Sequence, residues 1–217
     1  LALREAGLSA QVAEEAGLVL PRRSGDGYYD RFRNRLMFPI RARNGKVVAF
    51  GGRTLGDDDA KYLNSSESPV YRKSSALYGL HQARSAIHKD DMVLVVEGYF
   101  DVLSLSRAGL GFAVAPCGTA LTESQLGTLR KQSRNVVMLF DSDTAGRRAA
   151  MRALELSLAQ GLWPSWLSVP DGKDPDDFVR EHGGDAMRAL LTERRPLLDV
   201  YIEELFAHSG KDSFARD

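Results

Sequence analysis

Three short apolar runs, "MVLVV" (92–96), "FAVAP" (112–116) and "NVVMLF" (135–140), punctuate the middle of the chain. Runs this continuously apolar suit strands covered on both faces. Between them lie "FDVLSLSRAG" (100–109) and "LTESQLGTLRKQS" (121–133), both with helical spacing. The second opens on a capping pattern, Thr122 with Gln125. "AGRRAAMRALELSLAQG" (145–161) then reads as a strong helix ending at Gly161, and "SWLSVP" (165–170) as a fourth strand. Strands joined by helices make a parallel sheet, whose ligands lie at the carboxyl ends of the strands. The expected fold class is α/β.

The flanks read differently. Residues 1–20 predict short helices broken at Gly7 and Gly17. From Tyr28 to Phe50 two strand-like runs meet at Asn44-Gly45, a strong hairpin signal. Residues 54–75 are polar and turn-rich and predict loop, and the chain from Pro175 onward predicts helices. We therefore expect a mixed α+β part at 1–84, the βα part at 85–175 and a helical part at 176–217. The chain opens on Leu1 and reads as a piece of a longer protein.

Composition narrows the chemistry. Of 217 residues, 43% are hydrophobic and 27% charged, an ordinary globular balance. No apolar stretch approaches the ~18 residues of a membrane span. A single cysteine, Cys117, excludes an internal disulfide or a cysteine zinc site and fits a reducing cytoplasm. The four histidines show no i, i+4 pair. Net charge is zero, yet Arg22–Arg84 carries 13 Lys+Arg against 6 Asp+Glu, leaving 16 against 23 elsewhere. A basic first part suits phosphates, and an acidic remainder suits cations.

Acidic residues follow three of the strands. Glu97 and Gly98 come directly after "MVLVV", Asp141 and Asp143 after "NVVMLF", and "PDGKDPDD" (170–177) after "SWLSVP". Several carboxylates at one sheet edge repel one another, and a divalent cation relieves that conflict. Hard oxygen donors without Cys or His point to Mg²⁺ or Mn²⁺. Each motif also has a plain structural reading: Asp143 or Thr144 as a helix cap, and "PDGKDPDD" as a turn with Pro175 opening a helix. "DSDTAG" fails as a calcium loop, because Ala145 and Arg152 stand where ligands are required.

"VVEGYFDV" (95–102), "FDSDTAGRRAA" (140–150) and "PDGKDPDD", in this order, resemble the Toprim motif of bacterial primases, topoisomerases and some nucleases. "YDRFRNRLMFPIRARNGKVVAFGGRTL" and "KYLNSSESPVYRKSSALYGL" narrow the resemblance to the catalytic core of bacterial DnaG-type primases, over roughly residues 28–180. The resemblance implies a Toprim-like parallel sheet flanked by helices and synthesis of RNA primers on single-stranded DNA. It implies Glu97 as the catalytic acid, and Glu97, Asp101, Asp141, Asp143, Asp174 and Asp176 as ligands of two or more Mg²⁺ or Mn²⁺ ions. Arg31, Arg33, Arg53, Lys61 and Lys73 match positions for template and nucleotide. Tyr28, Phe32, Tyr62 and Tyr71 are interleaved with them, either as a stacking platform or as core.

The implied partners are a DNA template, ribonucleoside triphosphates and the RNA primer, with no membrane, in a bacterial cytoplasm at the replication fork. The fragment is expected to be monomeric. In the family a zinc-binding domain and a helicase-binding C-terminal domain lie outside the matched region, so we expect no zinc here. Alternatives are a Toprim nuclease or topoisomerase cleavage module, a haloacid-dehalogenase-type phosphatase, and non-enzymatic nucleic-acid binding. "FGGR…KYLNS…YRK" favours the primase pattern, and Thr144-Ala145-Gly146 replaces the Gly-Thr pair that the phosphatase expects after its Asp-x-Asp.

Overall fold

In this computed structural model the described residues are 2–57, 60–140 and 144–212. The opening periodicity builds α1 (Ala2–Glu5) and α2 (Ala10–Glu15), and the Ser9 hydroxyl caps α2 by accepting from the Val12 N–H at 3.2 Å. Gly17, at φ +68°, ends the helical stretch. Val19–Pro21 then forms β1, antiparallel to β2 (Tyr28–Asp30), where helix was expected up to residue 20.

The Asn44-Gly45 hairpin is present, joining β3 (Arg35–Arg41) to β4 (Val47–Thr54). The Gly45 N–H donates to the Ala42 carbonyl and the Ala42 N–H to the Lys46 carbonyl, both at 2.9 Å. This is a three-residue loop whose last position needs positive φ, and Gly45 supplies +83°. The expected loop at 54–75 is corrected in part: Tyr62–Asn64 forms β5, paired with Gly51–Arg53 of β4. Three residues carry too little alternation to be read as a strand, and it is the pairing with β4 that fixes them.

Beyond it come β6 (Leu77–Tyr78), α3 (Leu80–Asp90), β7 (Val93–Val95), α4 (Tyr99–Arg107) and β8 (Ala113–Pro116). They are followed by α5 (Glu123–Arg130), β9 (Val136–Met138) and α6 (Thr144–Ala159). The chain continues through β10 (Ser165–Trp166), α7 (Pro175–Leu190), β11 (Arg195–Pro196) and α8 (Leu197–Asp212). The predicted capping box opens α5: Thr122 Oγ1 accepts from the Gln125 N–H at 3.2 Å, and Gln125 Oε1 from the Thr122 N–H at 3.0 Å. Of "SWLSVP" only Ser165–Trp166 is strand. Leu167 still donates to the Met138 carbonyl before Pro170–Gly172 turns the chain.

These strands form one sheet in the order β11-β10-β9-β7-β8-β6, parallel through its inner four and antiparallel at both edges. Its central strands are wholly buried, as their uninterrupted apolar runs require. Val95 is in register with Met138, and Met138 with Trp166, so β7, β9 and β10 leave the sheet by the same edge.

The antiparallel β3-β4-β5 sheet joins that edge through a shared core. Phe38 stacks on Tyr99 at 4.9 Å between centroids and meets Tyr78 and Phe100 edge-on at 6.3 and 5.3 Å. Gly51 allows the approach, because a Cβ there would lie 2.5 Å from the Tyr99 ring. Polar ties fix the register. The Tyr99 hydroxyl donates to Asn64 Oδ1 at 2.6 Å, and Asn64 Nδ2 to the Cys117 carbonyl at 3.1 Å. Gln125 Nε2 donates to the carbonyls of Lys73 and Ala76 at 3.0 and 2.7 Å. Tyr99 follows β7 and Cys117 follows β8, so the basic sheet is fastened at the carboxyl ends of the parallel strands.

Candidate active site at the carboxyl edge

The candidate residues come from the segments that follow β7 and β10. Glu97 lies exposed just past β7, where Gly98 precedes α4. Asp101 sits in the first turn of α4, and its Oδ2 accepts the Gly98 N–H at 2.9 Å, which closes the helix start. Asp174 is the N-cap of α7, its Oδ1 accepting the Asp177 N–H at 2.7 Å, with Pro175 in the first helical position and Asp176 half-buried behind it. The structural reading of "KDPDD" therefore holds: it opens a helix. Asp174 also lies near enough to Tyr62 for its charge to act on that hydroxyl.

Arg53, near the end of β4, reaches across to this edge. Its guanidinium lies 4.7 Å from the Phe100 ring centroid and 5.8 Å from that of Tyr62, and Nη1 donates to the Tyr62 hydroxyl at 3.4 Å. The Tyr62 hydroxyl is held above its ordinary pKa, first by burial and further by the fields of Asp101 and Asp174, against the opposing pull of Arg53. One arginine and two carboxylates, each from a different segment, thus act on the Tyr62 hydroxyl. Lys61 is exposed beside them, its carbonyl accepting the Thr54 N–H at 3.0 Å. Lys73 lies close enough to Cys117, past the end of β8, for its charge to act on the thiol.

Other expected residues take different parts. Arg31 grips the Asn64 carbonyl with Nε at 3.2 Å and Nη2 at 2.8 Å, and so ties the chain ahead of β3 to the junction. Arg33 lies over the Tyr29 ring at 5.1 Å. Of the four aromatics, Tyr71 is core, only 2% exposed, and Phe32 packs edge-on against Phe50. Tyr28 and Tyr62 are exposed. Asp141 and Asp143 lie outside the described residues. Asn64, Tyr99 and Phe100 were not singled out by the sequence reading, although all three organise the junction; their only signal is position, inside "KYLNS" and "EGYFD".

Among the described residues no group of three or more His, Cys, Asp and Glu side chains is placed to hold a metal ion. The donor chemistry at the edge is nevertheless oxygen alone. Burial pushes the Cys117 thiol up to about 11, so it stays protonated near neutral pH and is a poor ligand. His182 packs on Phe178 at 4.8 Å, and His81 Nδ1 lies 3.2 Å from the Arg43 carbonyl. Glu97, Asp174 and Asp176 suit Mg²⁺ or Mn²⁺ rather than zinc.

Comparison with known proteins places both halves. Residues 2–84 match the family model of the DNA primase catalytic core N-terminal domain, and residues 94–179 a Toprim-like model. The DNA primase of Pseudomonas putida is 46% identical over 202 residues, covering 91% of this chain and 31% of that protein. The chain thus spans about a third of the curated relatives it matches. The E. coli primase catalytic core superposes with a TM-score of 0.88 at 39% identity, over 95% of this chain and 67% of that one. A DnaG primase catalytic domain bound to single-stranded DNA gives 0.86 at 39% identity, over 95% and 66%. No helix among the described residues is long and apolar enough to cross a membrane.

Proposed function

Because the chain belongs to the family of DnaG-type DNA primase catalytic cores, we propose that it carries the nucleotidyl-transfer site for RNA primers on single-stranded DNA. The supporting observation is the junction itself, where Arg53 of the basic sheet lies on Tyr62 and on Phe100, the residue before Asp101, with Asp101 and Asp174 near enough to act on the Tyr62 hydroxyl. Polymerisation needs phosphate-binding cations beside a cation-binding acidic edge, and four segments of this chain supply both. On this reading residues 1–84 are the template- and nucleotide-binding part, 85–175 the Toprim part and 176–217 its helical continuation.

Glu97, Asp174 and Asp176, with Asp141, Asp143 and Asp101, are the carboxylates that would hold divalent cations. When bound, two such ions supply Lewis-acid activation of a primer hydroxyl and charge neutralisation on the triphosphate. The chain's own residues do the rest. Arg53, fixed on Phe100, and Lys61 neutralise triphosphate oxygens, and Lys73 extends that cationic wall toward β8. Tyr62 holds Arg53 in place and offers a ring face to a base. Asp101 keeps α4 closed, so that Glu97 leaves β7 at a fixed angle. The partners on this reading are single-stranded DNA, ribonucleoside triphosphates and the growing primer, with a replicative helicase contacted elsewhere in a longer protein.

Incubating the chain with labelled ribonucleotides and single-stranded DNA, in Mg²⁺ or Mn²⁺, tests this directly. Short labelled RNA that disappears in EDTA and in Glu97→Gln supports it. Cation-dependent cutting of labelled DNA with no RNA made would assign the same carboxylates to a cleavage module instead.

A further inference from the structure

At the hairpin end of the basic sheet, two depressions share His81. One is lined by Arg41, Arg43 and Arg72, together with His81 and apolar side chains. The other runs along α3 past Arg84, Ser85 and His88. Among the described residues no aspartate or glutamate lines either one, and none of these four arginines makes an ion pair. All four guanidinium-bearing residues are exposed. The hairpin tip is held in place against the helix: a Cβ on Gly45 would lie 2.8 Å from the His81 ring, and Arg41 Nη1 donates to the Gly45 carbonyl at 2.7 Å.

This face is separate from the carboxyl edge. Val47 to Arg53 covers six residue steps of β4, about 20 Å of extended strand. Arg72 connects the two regions, since its neighbour Lys73 lies by Cys117 while Arg72 itself lines the hairpin depression. Four exposed arginines along two adjoining depressions, with no ion pair among the described residues, repel one another and raise the local positive potential. A polyanion with regularly spaced charges relieves that repulsion best, and a phosphodiester backbone is one.

We propose that this face, Arg72 to Arg41 and Arg43 and on to Arg84, is a second phosphate-binding track that continues the nucleic-acid path beyond the nucleotide site. The track binds the backbone of one strand and carries no base-reading element. Its assignment rests on the primer-synthesis reading in one respect only, the nature of the polymer at the Arg53 end.

Fluorescence anisotropy of the full chain with two labelled single strands separates the cases. One oligonucleotide is short enough to occupy only the Arg53 end, and the other is long enough to reach α3. The variant is Arg43→Ala/Arg72→Ala/Arg84→Ala, whose three side chains make no hydrogen bond among the described residues, with its melting temperature as the folding control. We expect short-strand binding to match the unsubstituted chain. Long-strand binding should weaken about fivefold per arginine near 0.1 M salt, with a log–log salt slope shallower by about 0.7 per arginine. Unchanged long-strand affinity and slope overturn the track, and so does a triple variant that loses an acidic polypeptide such as polyglutamate but keeps DNA. Arg53→Ala is the separate control: if it weakens neither strand, the reading of the carboxyl edge fails while the track is judged by its own variant.

Discussion

Gly51 shows how one residue decides whether the two sheets meet. Its missing Cβ lets the Tyr99 ring close onto β4, and that ring is pinned by Phe38 on one side and by Asn64 at its hydroxyl. Gly51→Ala has no soft neighbour to displace and should cost about 1–3 kcal/mol, read by urea unfolding. An unchanged midpoint would mean that Tyr99 can move. On the proposed reading, Arg53 and Lys61 serve function rather than stability. Arg53→Ala and Lys61→Ala should each weaken single-stranded DNA binding by a similar factor on every template and flatten its salt dependence, whereas Asp143→Asn should bind DNA at least as well as the unsubstituted chain. Anisotropy across a salt series checks this, and sequence-selective loss would contradict it. The turn that carries Glu97 was legible because charge after a buried strand stands out in a sequence, whereas Asp141 and Asp143 lie outside the described residues. Asn64, Tyr99 and Phe100 were not legible, since an asparagine and two aromatics have many ordinary uses, and only the fold brings Asn64 to the Tyr99 hydroxyl and Phe100 to Phe38 and Arg53.

At the level of elements, the parallel strands were readable because burial on both faces leaves no polar interruption. Short pieces were not: β1, β5 and β11 have two or three residues each and take their form from partners, not from pattern. The turn after β8 holds a group of buried titratable side chains. Burial raises the Tyr71, Tyr78 and Tyr99 hydroxyls above their ordinary range and the Cys117 thiol from 9.0 to about 11. Each is an acid disfavoured from ionising in the folded state. The stability from the thiol is therefore complete below about pH 9 and lost as pH rises toward 11, and the tyrosines act in the same direction. The melting temperature should hold up to about pH 9 and fall above it, and Cys117 should resist thiol reagents until unfolding. A melting temperature that rises through this window would contradict the burial argument. Gln125, fully buried, ties α5 to the segment ahead of β6. Gln125→Leu strands two carbonyls and the Thr122 N–H, and should cost about 3 kcal/mol in a chemical denaturation series.

Across the whole molecule, the zero net charge conceals a division of labour that the fold makes spatial. A basic antiparallel sheet is joined to the carboxyl edge of the parallel one through packed rings and side-chain hydrogen bonds. On the proposed reading, Arg53 and the edge carboxylates act on one ligand. If they serve one site, a triphosphate must report both at once. The direct measurement is ATP binding by titration calorimetry, with Mn²⁺ and then with EDTA, in the unsubstituted chain, Arg53→Ala and Asp143→Asn. Both substitutions should weaken binding in Mn²⁺ by about tenfold or more, the size of a lost charge-assisted contact. In EDTA the Asp143→Asn defect should vanish while the Arg53→Ala defect persists. ATP affinity that ignores Mn²⁺, or that survives Arg53→Ala unchanged, would contradict a single nucleotidyl-transfer site at this edge.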